Sequence, residues 1–417
     1  MTERRFTEAA SRRDFLSTLG VASASALLPR TLWASDAGAA RTLRGLALAP
    51  DDFAFEPGLI YLQTGSLGPT PRPVIDRAIA AWKDLELNPS AKGYGELERE
   101  MEVVRAAAAQ FIGCGTKEVV LTNCTTEGMN WTAQGIAWGA GDRVLTTDQE
   151  HPGGRDCWDY VARRHGVALD IVAIPHGEND AQAIIDRFER AITPRTRVLS
   201  FSHILSSTGL LMPVAELSRL ARSRGCIAVV DGAQALGAMP VNVKSLGCHV
   251  YATSGHKWLL GPKGTGLLYL SEELGNTVDP IALQGGRASY STSSGVTSIP
   301  SVISFGATCE YMTKIGLDRI NAHNLVLRNR LFAALRSVPK VQVVSAAPGP
   351  LATALLTFRL PVSVESRAFQ TMMRDKHHME LKVVPKNWLN GIRVSTHLFN
   401  TENEVDALVA AVRTELA

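Results

Sequence analysis

The sequence predicts an α/β protein: a large domain on a mainly parallel sheet of seven strands, followed by a smaller α+β domain. Three observations carry that expectation. Apolar runs of four or five residues recur through the middle of the chain. Stretches of helical length separate them. The runs are apolar throughout rather than alternating, the pattern of strands covered on both faces by helices.

Taken in order, the first run is Val119–Thr122, and a helical segment opens at Thr125. Asp142–Thr146, Asp170–Ile174, Arg197–Phe201, Ile227–Asp231, His249–Thr253 and Gly266–Leu270 follow. After Gly285-Gly286 the Ser/Thr/Gly-rich stretch from Ser289 to Pro300 reads as a loop. A long helical pattern then leads to a strand at Ala354–Phe358, a helix, and a last strand at Ile392–Ser395. The expected division is a leader over 1–39, a large domain over 60–290, and a small domain from 41–59 and 300–417.

With 417 residues, 45% of them hydrophobic, the chain can bury a sizeable core, which excludes global disorder. Its 43 basic and 40 acidic residues leave a net charge of +3 with no basic strip, which argues against a nucleic-acid partner. No run approaches the roughly 20 apolar residues of a membrane-spanning helix, so no integral membrane segment is expected. The six cysteines (Cys114, Cys124, Cys157, Cys226, Cys248, Cys309) follow neither a C-x-x-C nor a disulfide-scaffold spacing. They read as buried thiols rather than bridges.

The first forty residues read as an address. Ser11-Arg12-Arg13-Asp14-Phe15-Leu16 precedes a weakly apolar stretch, Val21–Leu28, and Ala37-Gly38-Ala39 offers a small-residue cleavage site. This is the plan of a bacterial export signal, and the arginine pair is of the twin-arginine (Tat) type. Pro29 and the lack of helical periodicity argue against an amphipathic first helix. The Tat export machinery and a periplasmic location are therefore expected.

Chemistry concentrates between Ser254 and Gly266, in Ser-Gly-His-Lys-Trp-Leu-Leu-Gly-Pro-Lys-Gly-Thr-Gly. Lys257 follows a strand, sits among hydrogen-bonding residues and precedes a Gly-rich return. Burial and nearby positive groups lower an amine's pKa, which suits a lysine that forms a Schiff base. Asp231 ends an apolar strand, where open α/β sheets place ligands, and an aspartate there can pair with a pyridinium nitrogen. Each has a plainer reading: a structural loop lysine, and a helix cap.

Asp231-x-x-Gln234, followed by Ser254-Gly-His-Lys257 and Gly261-Pro-x-Gly-x-Gly266, resembles the class V aminotransferase family. These are fold-type I pyridoxal 5'-phosphate enzymes. The likeness runs from Tyr61–Gly68 to Arg393–Thr401. It implies that Lys257 binds the cofactor and shuttles the α-carbon proton. Asp231 would hold the pyridine nitrogen, with Gln234 near the phenolic oxygen and His151 flat on the ring. Thr125 and Thr126, opening a helix after a strand, would hold the phosphate, with contacts from Ser254 and His256. Ser207 stands where many relatives have an asparagine near the cofactor oxygen. Arg393 would clamp the substrate α-carboxylate. The resemblance also implies a homodimer with shared active sites.

Two departures stand out. Relatives carry Gly-Thr in a loop that reaches the partner's phosphate site; here the loop reads Ser294-Gly-Val-Thr-Ser298, which leaves that contact to Thr297. Desulfurases place a catalytic cysteine near His377-His378-Met379, but no cysteine follows Cys309. The histidine pair reads as a solvated or substrate-lining loop, not a metal site. Within the family, the isopenicillin N epimerase-like branch is suggested by Gly65–Pro71 and by Trp82 through Asn88-Pro89. The expected activity is transamination or epimerase-like chemistry on an amino-bearing small molecule. A carbon–sulfur β-lyase and a catalytically silent cofactor-loaded binder are the alternatives.

Overall fold

A computed structural model describes residues 41–43, 46–48, 52–386 and 388–417. The expected leader over 1–39 lies outside the described residues. Strands β1 (Arg41–Leu43) and β2 (Leu46–Leu48) form an antiparallel pair, and β3 is Ile60–Tyr61.

The main sheet contains β4 (Val119–Thr122), β5 (Arg143–Thr147), β6 (Ala168–Val172), β7 (Thr196–Ser202), β8 (Ile227–Asp231), β9 (Val250–Ser254) and β10 (Gly266–Leu270). Its seven strands lie in the order β4-β10-β9-β8-β7-β5-β6. Only β10 runs against the rest. Strands β8, β9 and β10 are buried at every position, while β6, at one edge, is not. Continuous apolar runs thus go to the centre, where helices cover both faces. β6 ends two residues before the expected Ile174, because the Ile174 amide leaves the ladder and donates to Asp148 Oδ1 at 3.0 Å. One core packs helix residues such as Met101, Phe188 and Phe305 against the sheet. The core on the other face gathers around Trp158 and Met129.

The second sheet is antiparallel, in the order β11-β12-β15-β14: β11 (Gln342–Val343), β12 (Leu355–Arg359), β14 (Lys382–Val384) and β15 (Gly391–Ser395). Its core joins Leu62 to Leu327, Phe358, Ile392 and Val412. β13 (Met379–Glu380) pairs in parallel with β3, and a bridge pairs Gln63 with Ser395. These two contacts lay the segment 63–66 beside Arg393. All six cysteines are free, and Cys157, Cys226, Cys248 and Cys309 are buried. No helix among the described residues is long and apolar enough to cross a membrane.

Candidate active site

Because β4, β5, β7, β8 and β9 run in one direction, their carboxyl ends lie along one edge of the sheet. Thr125 and Thr126 follow β4, His151 follows β5, Ser207 follows β7, and Asp231 and Ser254 end β8 and β9. Parallel strands thus gather six residues scattered over 130 positions, where open α/β folds bind their ligands.

The helix Thr125–Gly135 opens with Cys124 as N-cap, whose side chain caps nothing. Ser254 Oγ accepts from the Thr125 amide at 2.9 Å and lies 2.8 Å from Thr125 Oγ1. That contact ties the helix start to the end of β9 and leaves the remaining first-turn amides for an anion. His151 caps the helix Pro152–His165, its Nδ1 accepting from the Gly153 amide at 3.0 Å. A Cβ at Gly153 would stand 2.5 Å from Thr126 Oγ1, and one at Gly154 would collide with Asp231 Oδ2. Two glycines therefore let His151, Thr126 and Asp231 close on one point.

Asp231 is 6% exposed, and its Oδ1 accepts from the Ala233 amide at 2.9 Å. Burial raises its pKa against the pull of Lys257. Lys257 makes no ion pair among the described residues. Burial lowers its amine below the ordinary lysine range; Asp231 opposes that shift, and Arg393 adds to it. His151 is held down to about 4, first by desolvation and then by Lys257, Arg393 and Lys382, so the ring is neutral at neutral pH. His256 Nδ1 is buried with no partner. Glu150, beside His151, is buried and accepts from Thr147 Oγ1 and Ser202 Oγ, both at 2.6 Å; burial pushes its carboxyl up to about 7.

A cleft of about 540 Å³ has His151, Ser207, Gln63 and Arg393 in its wall. Lys257 and Asp231 are not in that wall. Arg393 is 4% exposed; it donates to Ser206 O and Ser66 Oγ, each at 2.9 Å, and its Nε has no partner. Burial lowers its pKa to about 10, which leaves it cationic at neutral pH. A Cβ at Gly65 would crowd Gln234 Oε1, Ser395 Oγ and Arg393 Nη2 at 2.8, 2.9 and 3.2 Å.

Three expected residues are placed differently from the rest. Gln234 is tied to protein, donating to Gly65 O at 2.8 Å and accepting from Trp258 Nε1 at 2.7 Å. One amide hydrogen and one Oε1 lone pair remain for a ligand. Ser207 Oγ donates to Gln149 Oε1 at 2.9 Å, so it meets the cleft through a shared network. Thr297 lies outside the cleft and lines a small separate pocket that Thr122 and Gly264–Gly266 also line. His377 pairs with Glu415 at 2.9 Å, and neither it nor His378 lines the cleft. Among the described residues no group of three or more His, Cys, Asp or Glu side chains is placed to hold a metal ion. Glu150, Ser66, Gln370, Arg367 and Lys382 escaped sequence reasoning. Only Glu150, adjacent to His151, carried a signal. Leu260, three residues after Lys257, is buried at a φ of 63°, a strained value that the Gly-rich motif did not foretell.

The donor set fits pyridoxal 5'-phosphate. A helix start with no N-cap side chain and the free Nδ1 of His256 suit its phosphate, a buried aspartate its pyridinium nitrogen, and an unpaired lysine of lowered pKa its aldehyde. Comparison with known proteins agrees. The chain is 28% identical to an isopenicillin N epimerase of Amycolatopsis lactamdurans, over 88% of this chain and 98% of that one. It is 31% identical to a cysteine desulfurase of Klebsiella pneumoniae, over 76% and 83%. Among solved structures, the apo cysteine desulfurase of Thermococcus onnurineus superposes with a TM-score of 0.74 at 25% identity, covering 86% of this chain and 94% of that one. A complex of the cystine C–S lyase C-DES with cysteine persulfide gives a TM-score of 0.77 at 24% identity, covering 86% and 98%, a likeness of fold. The Aminotransferase class-V family profile matches residues 60–408. The chain therefore belongs to the class-V aminotransferase family of pyridoxal 5'-phosphate-dependent enzymes.

Proposed function

We propose that this enzyme acts on the α-carbon of an amino acid or amino-bearing small molecule, by transamination or epimerase-like chemistry, with Lys257 as the covalent anchor of the cofactor. The observation that carries this reading is Arg393: a buried cation at the cleft, without a carboxylate partner among the described residues. A buried charge left unpaired is costly, and the α-carboxylate of a substrate relieves that cost.

Bound here, pyridoxal phosphate supplies an electron sink that weakens the bonds at an amino acid's α-carbon. The chain's own residues then choose and assist. Thr125, Thr126, Ser254 and His256 would hold the phosphate end. Asp231 keeps the ring nitrogen protonated, its charge favoured by Lys257 nearby. The neutral imidazole of His151 would pack against the bound ring without competing for the positive charge. Arg393 would fix the carboxylate and so orient the substrate in the cleft. The Nζ of Lys257, unburdened by an ion pair and with its pKa lowered, would take up the α-carbon proton and return it. Persulfide chemistry on a chain thiol is not favoured, since no cysteine follows Cys309.

The reading includes a homodimer. Trp82, Leu87 and Tyr94 on neighbouring helices and Val296 in the 294–298 loop are exposed apolar side chains. An apolar cleft of about 360 Å³ has Tyr94, Tyr290, Val296 and Thr297 in its wall. A second copy covers such a face, and Thr297 would then serve the partner's phosphate site. Export through the Tat route to the periplasm is proposed from Arg12-Arg13 and Ala37-Gly38-Ala39. The test of the whole reading is a screen of the cofactor-loaded enzyme against amino acids and amino-bearing peptides, read as change in the cofactor spectrum. Conversion by at least one α-amino acid supports it; silence towards all of them refutes it.

A further inference from the structure

The same cleft carries more positive charge than one α-carboxylate requires. Strands β14 and β15 pair Lys382 directly opposite Arg393. Opposed residues on antiparallel strands project to one face with Cβ atoms about 4.5–5.5 Å apart, and like charges in that arrangement repel. Arg367 and Gln370 lie one turn apart on the helix Ser366–His377, Arg374 follows one turn on, and all three line the cleft. Arg374 is committed to Glu380, whose Oε1 accepts from its Nε at 2.6 Å. Neither Arg367 nor Lys382 makes an ion pair among the described residues. Gln370 is only 3% exposed, yet its side-chain amide hydrogen-bonds none of the described residues. Its amide nitrogen and oxygen open onto the cleft, where they can meet a ligand.

We propose that the substrate is a dianionic α-amino acid, whose distal acidic group is held by Lys382 and Arg367 with Gln370 donating to it, while Arg393 takes the α-carboxylate. This rests on the function proposed above and narrows its substrate class. One negative group does not neutralise Arg393, Lys382 and Arg367 together; two bring the cleft close to balance. The two outer cations are exposed at the mouth, which suits a group that stays partly hydrated, while the buried guanidinium meets the carboxylate beside the reacting carbon. Desolvation, Arg393 and Arg367 together lower the Lys382 pKa, which a bound anion would reverse.

The test uses the cofactor-loaded enzyme and matched probes: L-aspartate, L-glutamate, L-2-aminoadipate and O-phospho-L-serine against L-asparagine, L-glutamine, L-norleucine and L-serine. The expected result is one dianionic probe whose kcat/KM, followed by the cofactor spectrum, exceeds that of its neutral counterpart by at least about tenfold. Which dianion leads tells a carboxylate from a phosphate. Lys382→Met and Arg367→Met, both exposed positions, should each shrink that ratio through KM, with melting temperature held. Neutral probes that react as well as the dianions overturn the inference but leave the proposed chemistry standing. A ratio that survives both substitutions also overturns it. Silence towards every probe also overturns the inference, while the peptide arm of the wider screen still decides the proposed chemistry.

Discussion

Arg393→Ala is the perturbation whose consequence the structure specifies best. A guanidinium has five N–H donors, and Ser206 O and Ser66 Oγ take one each. Nε–H and the remaining Nη hydrogens are therefore free for a carboxylate. Two charge-assisted hydrogen bonds at a 4% exposed site are worth about 2–5 kcal/mol when one partner is truncated. That energy corresponds to a fall in kcat/KM of about 30-fold to several thousandfold for a reactive α-amino acid. The cofactor is anchored through Lys257, Asp231 and the Thr125-Thr126 turn, so its spectrum and affinity should stay near wild type. Arg393→Lys should recover only part of the loss, since a point charge lacks the planar fork. Melting temperature measured alongside separates lost binding from lost packing. An alanine variant as active as wild type, with its fold intact, would refute the carboxylate assignment.

Gly154→Ala should push Asp231 aside, because its Cβ collides with Oδ2; cofactor affinity should fall by about tenfold or more in equilibrium titration, with far-UV circular dichroism unchanged. Glu150 gives a pH prediction. Its folded pKa, about 7, lies above the unfolded 4.5, so the folded state binds the extra proton between those values. Its contribution is fully present below about pH 4.5 and is lost as pH rises to about 7, on the order of 3 kcal/mol. Glu150→Gln should flatten that part of the melting-temperature profile of the apoprotein, and an unchanged slope would show that Glu150 is not its source. Changing Arg12 and Arg13 together to lysine should hold the precursor in the cytoplasm in a fractionation assay; equal periplasmic yield would argue against the Tat route.

The part of the site that was readable in the sequence is the part built by strands. Continuous apolar runs announce β4 to β10, and parallel strands carry whatever follows them to one edge, so Asp231 and the Thr125-Thr126 helix start were readable from the strands, while His151 was readable through the family resemblance. Arg393 was readable only through that resemblance, since an arginine in the strand Ile392–Ser395 taken alone looks like a solvated edge residue. Lys382 and Arg367 were not. A lysine in a short strand and an arginine in the first turn of an amphipathic helix look like solvated residues until pairing register sets one against Arg393 and helical spacing turns the other into the cleft. Gln234 shows the converse. Its motif was plain, but its hold on Gly65 O and Trp258 depends on a segment 169 positions away. The early end of β6 is a smaller case, where the Asp148 side chain outcompetes a ladder bond at Ile174.

The most direct measurement of the central claim is the site of covalent attachment. The cofactor-loaded enzyme is reduced with borohydride, digested, and the modified peptide sequenced by mass spectrometry. The expected result is a single pyridoxyl-modified lysine at Lys257, in the peptide containing Ser254-Gly255-His256, and no such adduct in Lys257→Ala. A modification at another lysine, or an adduct that persists in the alanine variant, would contradict it.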